Sequence, residues 1–574
     1  MPLPTPFTAP PSPETDVLSL FFDKAATNYE ESRIVFWDND PNSKPLTYGA
    51  TRESFKRFGH ALKHKVGVQP GDRVGLMSLN GVHYPVMLFG IMCAGGQAVP
   101  INPQSLVQDI LKYIQISGLK VIIVDAQFYH AVRGVLQHHP DLTVIVRGDM
   151  PTPTDKSHYS WTALLDGPEL EWPRGSHVNE SLALICFSSG TSGLPKAVML
   201  THQNVVAQTH KYHYAAHHKR HMQDVNRRIT VLGAFPSFHA AGLFGSIFDP
   251  LYNGFTSVIL QQFSLPAYLD LLEKFRPDQI MVAPPIVLLL ARHPLVEGRN
   301  FSYLEHIIVG AAPCGQDLAD ACVKRINPKI RIQQMWGMSE LVCLGSAASF
   351  GGNFGIPAPG QPGGDCGYPL PGMELKIVNL ETDEEIVPAT VVDLRNETQR
   401  GELLVKGDNV FSGYLGMSEE ENAKFFTADG FYRTGDVAVA AKDGRLWIVD
   451  RIKELIKSSG FQVAPAEIEG ILLSHPEIVD CAVVGVPDLQ KEGTTENVRA
   501  YIVLKADGTL KTMDEQTAKA AIEAWYEPQV LGYKRLRGGI RFVDQVPKSP
   551  AGKILRRLLR DEIAAESAAE QSKL

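Results

Sequence analysis

At 574 residues, 44% of them hydrophobic and 21% charged, the chain is too long for one hydrophobic core and reads as a globular protein of at least two domains. Its 63 acidic and 55 basic residues give a net charge of −8, which argues against a general nucleic-acid binder or a partner of anionic membranes. The seven cysteines (93, 186, 314, 322, 343, 366 and 481) show no C-x-x-C spacing and several lie in apolar runs, so they read as reduced core thiols outside the secretory route.

The opening MPLPTPFTAPPSPETD is proline-rich and lacks the basic and apolar regions of a secretory signal, so a flexible lead-in is expected. From Asp16 to about Val124 amphipathic helices alternate with short apolar strands. ESFKRFGHALKHKV predicts a helix, GDRVGLMSLN a turn and strand, HYPVMLFGIMCAGG a buried helix ending in glycines, and LKVIIVD another strand. Such alternation predicts an α/β fold of layered sheets. The stretch from about Met150 to Gly175, rich in Pro, Asp and Ser, is expected to be a loop. The most apolar runs, such as MVAPPIVLLLA from Met281, are short and broken by proline, and no membrane span is expected.

Between the apolar runs SLALICF and AVMLTH lies SSGTSGLPKAV, Ser188 to Val198. Gly190 and Gly193 permit conformations that aim several N–H groups at one oxyanion, Ser188, Ser189, Thr191 and Ser192 add hydroxyl donors, and Lys196 adds a charge. The bland alternative is a Ser/Gly hairpin loop. The string is not a Walker loop, because G-x-x-x-x-G-K-[ST] cannot be laid over it and a strand rather than a helix follows.

Thr201 is placed to cap a helix through QNVVAQTHKYHYAAHHKRHM. His210, His213, His217 and His221 recur there at three- and four-residue spacing. They read as a metal-binding face or, since no Cys or carboxylate accompanies them before Asp224, as a solvated, mildly basic face with Lys211, Lys219 and Arg220; the second reading is preferred. GAFPSFHAAGLFG then sets His239 beside small residues, either as a satisfied core histidine or at the rim of a cavity lined by Ala240, Ala241 and Gly242. HIIVGAAPCG is a strand breaking at Gly310, where Ala311 and Ala312 would let a flat ring lie against the backbone; a tight strand-to-helix turn is the alternative. IRIQQMWGMSELV, GYPLPG, GELLVKG and FYRTGDVAVAAKDGRLWIVDR follow. After Asp450 the character changes to a compact α/β module of about 120 residues, a common domain size, ending in PKSPAGKILRRLLR with Lys553 on a Pro/Ser/Gly loop.

These strings, in this order, resemble those of the adenylate-forming superfamily of acyl-CoA synthetases, luciferases and adenylation domains, over about residues 16 to 562. DRIKELIKSSGFQVAPAEIE and PKSPAGKILRR look most like 4-coumarate-CoA ligases and related acyl-CoA ligases. The resemblance implies a large N-terminal domain (1–450) of layered α/β sheets plus a small barrel, which binds ATP and the acyl group, and a smaller mobile α+β C-terminal domain (451–574). It implies a two-step reaction in which a carboxylic acid and ATP give acyl-adenylate and pyrophosphate, and coenzyme A then displaces AMP.

By the same resemblance, Ser188 to Lys196 holds the phosphates, Gly310, Ala311 and Ala312 lie against adenine, and Gln334, Trp336, Gly337 and Ser339 complete the nucleotide site. Ser339 would bond the α-phosphate and Glu340 would give one carboxylate to Mg2+, which commonly takes few protein ligands. Asp436, an acceptor-only carboxylate, suits two ribose hydroxyls, and Arg451 makes a second nucleotide contact. His239, Ala241, Gly310, Gly337 and Val342 line the acyl pocket. Lys553 serves the first step, Lys453 is the hinge, and the Lys457 to Gln462 loop with Gly460 serves the second.

Ala197 replaces the usual glycine after the loop lysine, and Ser458-Ser459 stand where relatives often have an aromatic residue and a lysine. Ala241 stands where coumarate ligases often carry tyrosine, so a roomier pocket is expected, for an aryl-propenoic or medium-chain aliphatic acid. Rival readings are a stand-alone adenylation enzyme, a luciferase-like light emitter and a catalytically dead nucleotide sensor. The chain ends Ser572-Lys573-Leu574, a peroxisomal import address, so a peroxisomal location and an import receptor as partner are expected.

Overall fold

The computed structural model describes residues 2–24, 29–41, 43–149, 157–188, 195–218, 227–349, 355, 361–394, 396–458, 461–488, 495–550 and 552–571. Two seven-stranded sheets dominate. In spatial order, the first contains His158–Ser160, Thr143–Arg147, Val121–Asp125, Arg73–Met77, Gln97–Pro100, Leu182–Ser188 and Lys196–Thr201. All its pairs are parallel except the last, where Ser188 faces Lys196 across an antiparallel ladder. The second runs Arg331–Gln334, His306–Val309, Gln279–Val282, Thr230–Gly233, Thr256–Ile259, Ile34–Asp38 and Leu46–Thr47, again parallel but for its last pair.

The strand sequences explain the parallel arrangement. All five residues of VIIVD at Val121–Asp125 are buried, as a strand covered on both faces requires. The helix His83–Cys93 is apolar all round and buried from Tyr84 to Cys93, so it belongs inside the layers rather than on them. Gly90 lets it approach the helix Tyr48–Ala61, since a Cβ there would stand 2.5 Å from the Phe58 ring.

Where a small barrel is expected, Glu374–Val378, Gly401–Lys406, Tyr432–Ala440 and Leu446–Arg451 form a four-stranded antiparallel sheet, with the ribbon Ser346–Ala347 and Tyr368–Pro369 separate from it. The C-terminal module has its own three-stranded sheet, Ile478–Pro487, Glu496–Leu504 and Ile540–Phe542, and its own core from Ile456 to Ile540. A core made wholly of local residues is what lets a module move as a unit. Within the expected loop from Met150 to Gly175, His158–Ser160 joins the first sheet and Trp161–Leu164 is helical. Among the described residues no helix is long and apolar enough to cross a membrane.

Two expectations need correction. The histidine helix is not a solvated face. His210, Lys211 and His217 are buried, His213 Nδ1 lies 2.6 Å from the Asn253 amide oxygen, and His217 pairs with Asp249. Lys211 reaches the Pro371 carbonyl at 2.9 Å and Asp408 at 3.0 Å. Histidine spacing fixes which residues share a face but not whether that face is covered, and here it is; His221 lies outside the described residues.

The proline-rich opening is not flexible either. Leu3 N–H donates to the Leu375 carbonyl and the Thr5 hydroxyl to that of Pro369. Leu3 and Phe7 are buried, Phe7 edge-on to Tyr368. Further along, His210 Nε2 reaches the Pro10 carbonyl, Gln203 donates to Pro13, and Val17 N–H donates to His202 Nδ1. Burial pushes His202 down to about 4, which keeps its ring neutral and able to accept. Prolines lack the N–H that an extended surface segment must otherwise satisfy, so two apolar anchors and a few carbonyls suffice to fasten this strap from the four-stranded sheet to the helix His202–Tyr212. Phe7→Ala is expected to destabilise the large domain by roughly 3 kcal/mol, read as a lowered urea midpoint; an unchanged midpoint would mean the strap is idle.

Candidate functional site

The site gathers at the carboxyl ends of the second sheet. The strand His306–Val309 runs out at Gly310, and Ala311 then takes φ +70°. The neighbouring strand Arg331–Gln334 leads into a loop that doubles back: Gly345 and Ser346 N–H both reach the Trp336 carbonyl. Gly337 is required there, because a Cβ would stand 1.7 Å from the Cys343 carbonyl oxygen. Val342 follows at φ +62°, an uncommon conformation for a β-branched residue and one that recurs where a loop is held for function. Gln334 ties this region together, accepting from Cys314 N–H and donating to the Gly364 carbonyl and Cys366 Sγ, so its amide shapes the Ala312–Cys314 turn.

Asp436 is the junction. One carboxylate oxygen accepts from the Trp336 indole N–H at 2.8 Å and the other lies 3.0 Å from Arg451 Nε. The antiparallel pairing of Tyr432–Ala440 with Leu446–Arg451 places Asp436 directly opposite Arg451. Asp436 is buried and raises the Arg451 guanidinium above its usual range.

A second chain of contacts holds Glu340. Its carboxylate accepts from the Tyr414 hydroxyl at 2.8 Å, and that hydroxyl is 3.1 Å from Tyr432. The Lys196 ammonium sits 4.4 Å from the Tyr414 ring centre and 4.2 Å from that of Phe425, contacts worth about 0.5–2 kcal/mol each. Burial lowers Lys196, Lys453 lowers it further and Glu340 opposes. Among the described residues no group of three His, Cys, Asp or Glu could hold a metal alone. Glu340, buried and acceptor-only, fits a cation that completes its shell with phosphate and water.

Lys553 arrives from the small domain. It is half-buried in the same cluster; desolvation depresses its pKa, Arg451 depresses it further, and Glu454 and Asp436 oppose. Its loop is a tight turn, with Gly552 N–H on the Ser549 carbonyl and Ser549 N–H on that of Lys553. A Cβ at Gly552 would lie 3.2 Å from Ala283 and 3.5 Å from Pro285, so the turn rests on the end of the strand Gln279–Val282. Behind it Arg556 grips Glu454 on the hinge side and both oxygens of Glu469. Burial raises Glu469 to about 7 with Arg556 opposing. Arg292 of the large domain donates to the Ile478 and Leu473 carbonyls at 3.2 and 2.7 Å, and Arg400 pairs with Glu467 at 3.6 Å.

Not every expected residue meets here. Lys457 and Gln462 face each other on the hairpin Ile456–Ser458 and Phe461–Val463. Lys457 is exposed, its N–H donates to Glu496 and its carbonyl accepts from Thr495, so these contacts stay within the small domain. Lys453 lies on the turn Ile452–Glu454, where its carbonyl accepts from Arg560. Ser188 ends its strand beside Lys196; Ser189, Gly190, Thr191, Ser192, Gly193 and Gly460 lie outside the described residues. Ser339 opens the turn Ser339–Leu341 that carries Glu340.

His239 begins the helix Ala240–Leu243, with its Nε2 buried and unpartnered. Burial pushes it down to about 4, so the imidazole is neutral at ordinary pH. Ala241 is half-buried on the next turn. A cavity lies deeper, between that helix and the second sheet, lined by Val231, Gln279, Met281, Phe244, Asp249 and Leu344 among others; none of the five residues expected to line the acyl pocket touches it. Sequence reading also missed Tyr414, Tyr432, Arg292 and the Arg556–Glu469 clamp. Tyr414 stands in FSGYLG, 74 residues from the Glu340 it supports, with no spacing to connect them.

The chain matches the AMP-binding enzyme family over residues 22–415 and the AMP-binding enzyme C-terminal domain over 467–553. It is 32% identical to a phenylacetyl-CoA ligase of Aspergillus niger over 96% of this chain and 97% of that one. It is also 32% identical to 4-coumarate–CoA ligase 1 of Petroselinum crispum, over 92% and 91%. Its fold matches that of an anthranilate CoA ligase crystallised with anthranoyl-AMP, with a TM-score of 0.81 at 22% identity over 97% and 99% of the two chains.

Arg292 joins the domains through backbone carbonyls, so its loss should loosen the docking without touching the ligand site. Arg292→Ala is expected to raise the rate of limited proteolysis across Arg451–Leu455 several-fold while leaving the large domain's melting point in place. Unchanged cleavage would show that Arg292 does not hold the domains together.

Proposed function

This chain belongs to the AMP-binding enzyme family, and we propose that it is an ATP-dependent acyl-CoA ligase, converting an apolar carboxylic acid of aryl-propenoic or medium-chain aliphatic type to its CoA thioester. The supporting observation is Lys553, half-buried and within electrostatic reach of Asp436 and Arg451 although it is carried by the other domain. Lys196, Arg451, Lys453 and Lys553 crowd one region against Glu340, Asp436 and Glu454. Burial and like-charge neighbours that depress Lys196 and Lys553 are relieved when a polyanion enters, so the site is complementary to a triphosphate.

In the first step a carboxylate oxygen attacks the α-phosphorus and the bond to pyrophosphate breaks. Two groups of like charge must approach. One positive charge about 4 Å away is worth about 1 kcal/mol in water and about 4 at an effective dielectric of 20. Lys553, partly desolvated on a turn that rests against Ala283 and Pro285, would supply that charge under conditions nearer the second. On this reading Asp436 would hold the ribose and Ser339 the α-phosphate. Magnesium, bound through Glu340, would neutralise triphosphate charge.

In the second step the thiol sulfur of coenzyme A attacks the acyl carbon and AMP leaves. Lys553 has no part in that bond change, and the hairpin with Lys457 and Gln462 points elsewhere in this arrangement. Rotation about Lys453 would exchange the two. His239, neutral, borders the thiol's path without repelling or ionising it.

CoA-dependent release of AMP and pyrophosphate across cinnamic, phenylacetic, branched and C6 to C16 acids tests the reaction and identifies the acid. AMP formation with no thioester would replace it with an enzyme that uses the adenylate otherwise. Lys553→Ala is expected to lower acid-dependent pyrophosphate exchange by about 100-fold or more while still forming thioester from supplied acyl-adenylate; equal loss in both would overturn the division of labour.

Peroxisomal import is also proposed, on Ser572-Lys573-Leu574, which lie outside the described residues. A fluorescent fusion keeping this terminus should collect in peroxisomes and disperse when the tripeptide is removed; identical distributions would exclude it.

A further inference from the structure

One side chain stands between two opposite charges of the site. Tyr414 donates its hydroxyl hydrogen to Glu340 Oε1 at 2.8 Å, and the centre of its ring lies 4.4 Å from the Lys196 ammonium. Phe425 meets that ring at 74° with centroids 4.9 Å apart, and the ammonium sits in the corner between them, 4.2 Å from the second ring. Lys196 and Glu340 attract one another, yet among the described residues the two form no ion pair; each has the tyrosine as its partner instead.

The backbone fixes this position. Residues 411–415 lie along the strand Lys196–Thr201: Met199 N–H donates to the Gly413 carbonyl, Ser412 N–H to that of Met199 and Leu415 N–H to that of Ala197, at 2.9 to 3.1 Å. On the other side Phe411 N–H donates to the carbonyl of Glu340 itself at 2.8 Å. Asn422 clasps Tyr414, accepting from its N–H at 2.7 Å and donating to its carbonyl at 3.1 Å. The segment is thus stitched both to the strand that begins with Lys196 and to the turn that carries Glu340. The hydroxyl has a set direction as well. A carboxylate only accepts, so the Tyr414 hydrogen goes to Glu340 and the Tyr432 hydroxyl, 3.1 Å away, donates to Tyr414. Tyr432 is buried and belongs to the strand that carries Asp436.

We propose that Tyr414 is a positioning residue with two separable duties: its hydroxyl orients the Glu340 carboxylate for the metal, and its ring holds Lys196 ready for the triphosphate. The hydrogen bond takes one carboxylate oxygen, which fixes the direction of the other. Partners that stand behind a metal ligand in this way change metal affinity by about 10- to 100-fold. The second duty needs no hydroxyl, since a cation is drawn to the ring face. The proposal rests on the reading of Glu340 as the metal carboxylate.

The test separates metal from nucleotide. Binding of α,β-methylene-ATP, which cannot release pyrophosphate, is measured by calorimetry in EDTA and again with saturating Mn2+ in place of magnesium, with neither acid nor coenzyme A present. Kd in EDTA divided by Kd with Mn2+ gives the metal's share. Tyr414→Phe keeps the ring and is expected to lower that ratio about tenfold while leaving Kd in EDTA at the wild-type value, which also shows the variant to be folded. Tyr414→Leu is expected to lower the ratio alike and to weaken binding in EDTA about threefold or more. Phe425→Leu, which removes only the other ring, should weaken binding in EDTA and leave the ratio in place. Glu340→Gln should lower the ratio at least as far as Tyr414→Phe, and adding Tyr414→Phe to it should cost nothing further, since the hydroxyl acts through the carboxylate. A wild-type ratio in Tyr414→Phe, or losses that add in the double variant, would overturn the first duty; unchanged binding in EDTA in both leucine variants would overturn the second. A wild-type ratio in Glu340→Gln would instead remove the metal reading of Glu340, and the first duty with it.

Discussion

Everything at this site hangs on the carboxylate of Asp436. It is shared by three parts of the chain: the doubled-back loop of the second sheet through Trp336, the antiparallel sheet that carries Asp436 itself, and the last residue before the hinge through Arg451. Few groups could do this. A carboxylate is acceptor-only and two-sided, so one oxygen can fix the loop while the other fixes the strand that leads to the small domain. The doubled-back loop and the strand that leads to the small domain are therefore positioned by the same buried charge.

Around that anchor the molecule resolves a conflict between holding and moving. The small domain has a core of its own, and its recorded attachments include the Arg292 contacts to carbonyls, the Arg400–Glu467 pair and the seat of Gly552 on Ala283 and Pro285. These are polar or small contacts, the kind that domains which rearrange can exchange. Within the small domain the reverse holds. Arg556 binds Glu454 and Glu469 together, so the helix after the lysine turn is tied to the segment that opens the small domain.

Much of this was legible in the residues and some was not, for separable reasons. Lys553, Asp436 and Glu340 sit in short strings that match those of the family, and it was the match, not their composition alone, that marked them. Tyr414 and Arg292 do not: a tyrosine that supports a distant glutamate and an arginine that binds main-chain carbonyls leave no local pattern, because any residue offers a carbonyl. The histidine helix was misread because period alone cannot say how many sides of a helix are covered. The cavity lined by Gln279 left no mark in the strings, since they mark where strands end, whereas Gln279 stands where its strand begins. The proline-rich opening was misjudged because the same composition serves a free tail and a pinned strap.

That strap has a consequence for how the chain is made. Thr5 bonds a carbonyl 364 residues further along, and the Pro4 carbonyl sits against Gly444. At about 5–20 residues per second of synthesis, Leu3 and Phe7 emerge roughly 20 to 70 s before their binding surface exists. These apolar side chains thus wait on chain made much later before they are buried, and the large domain cannot close its surface until the four-stranded sheet is complete.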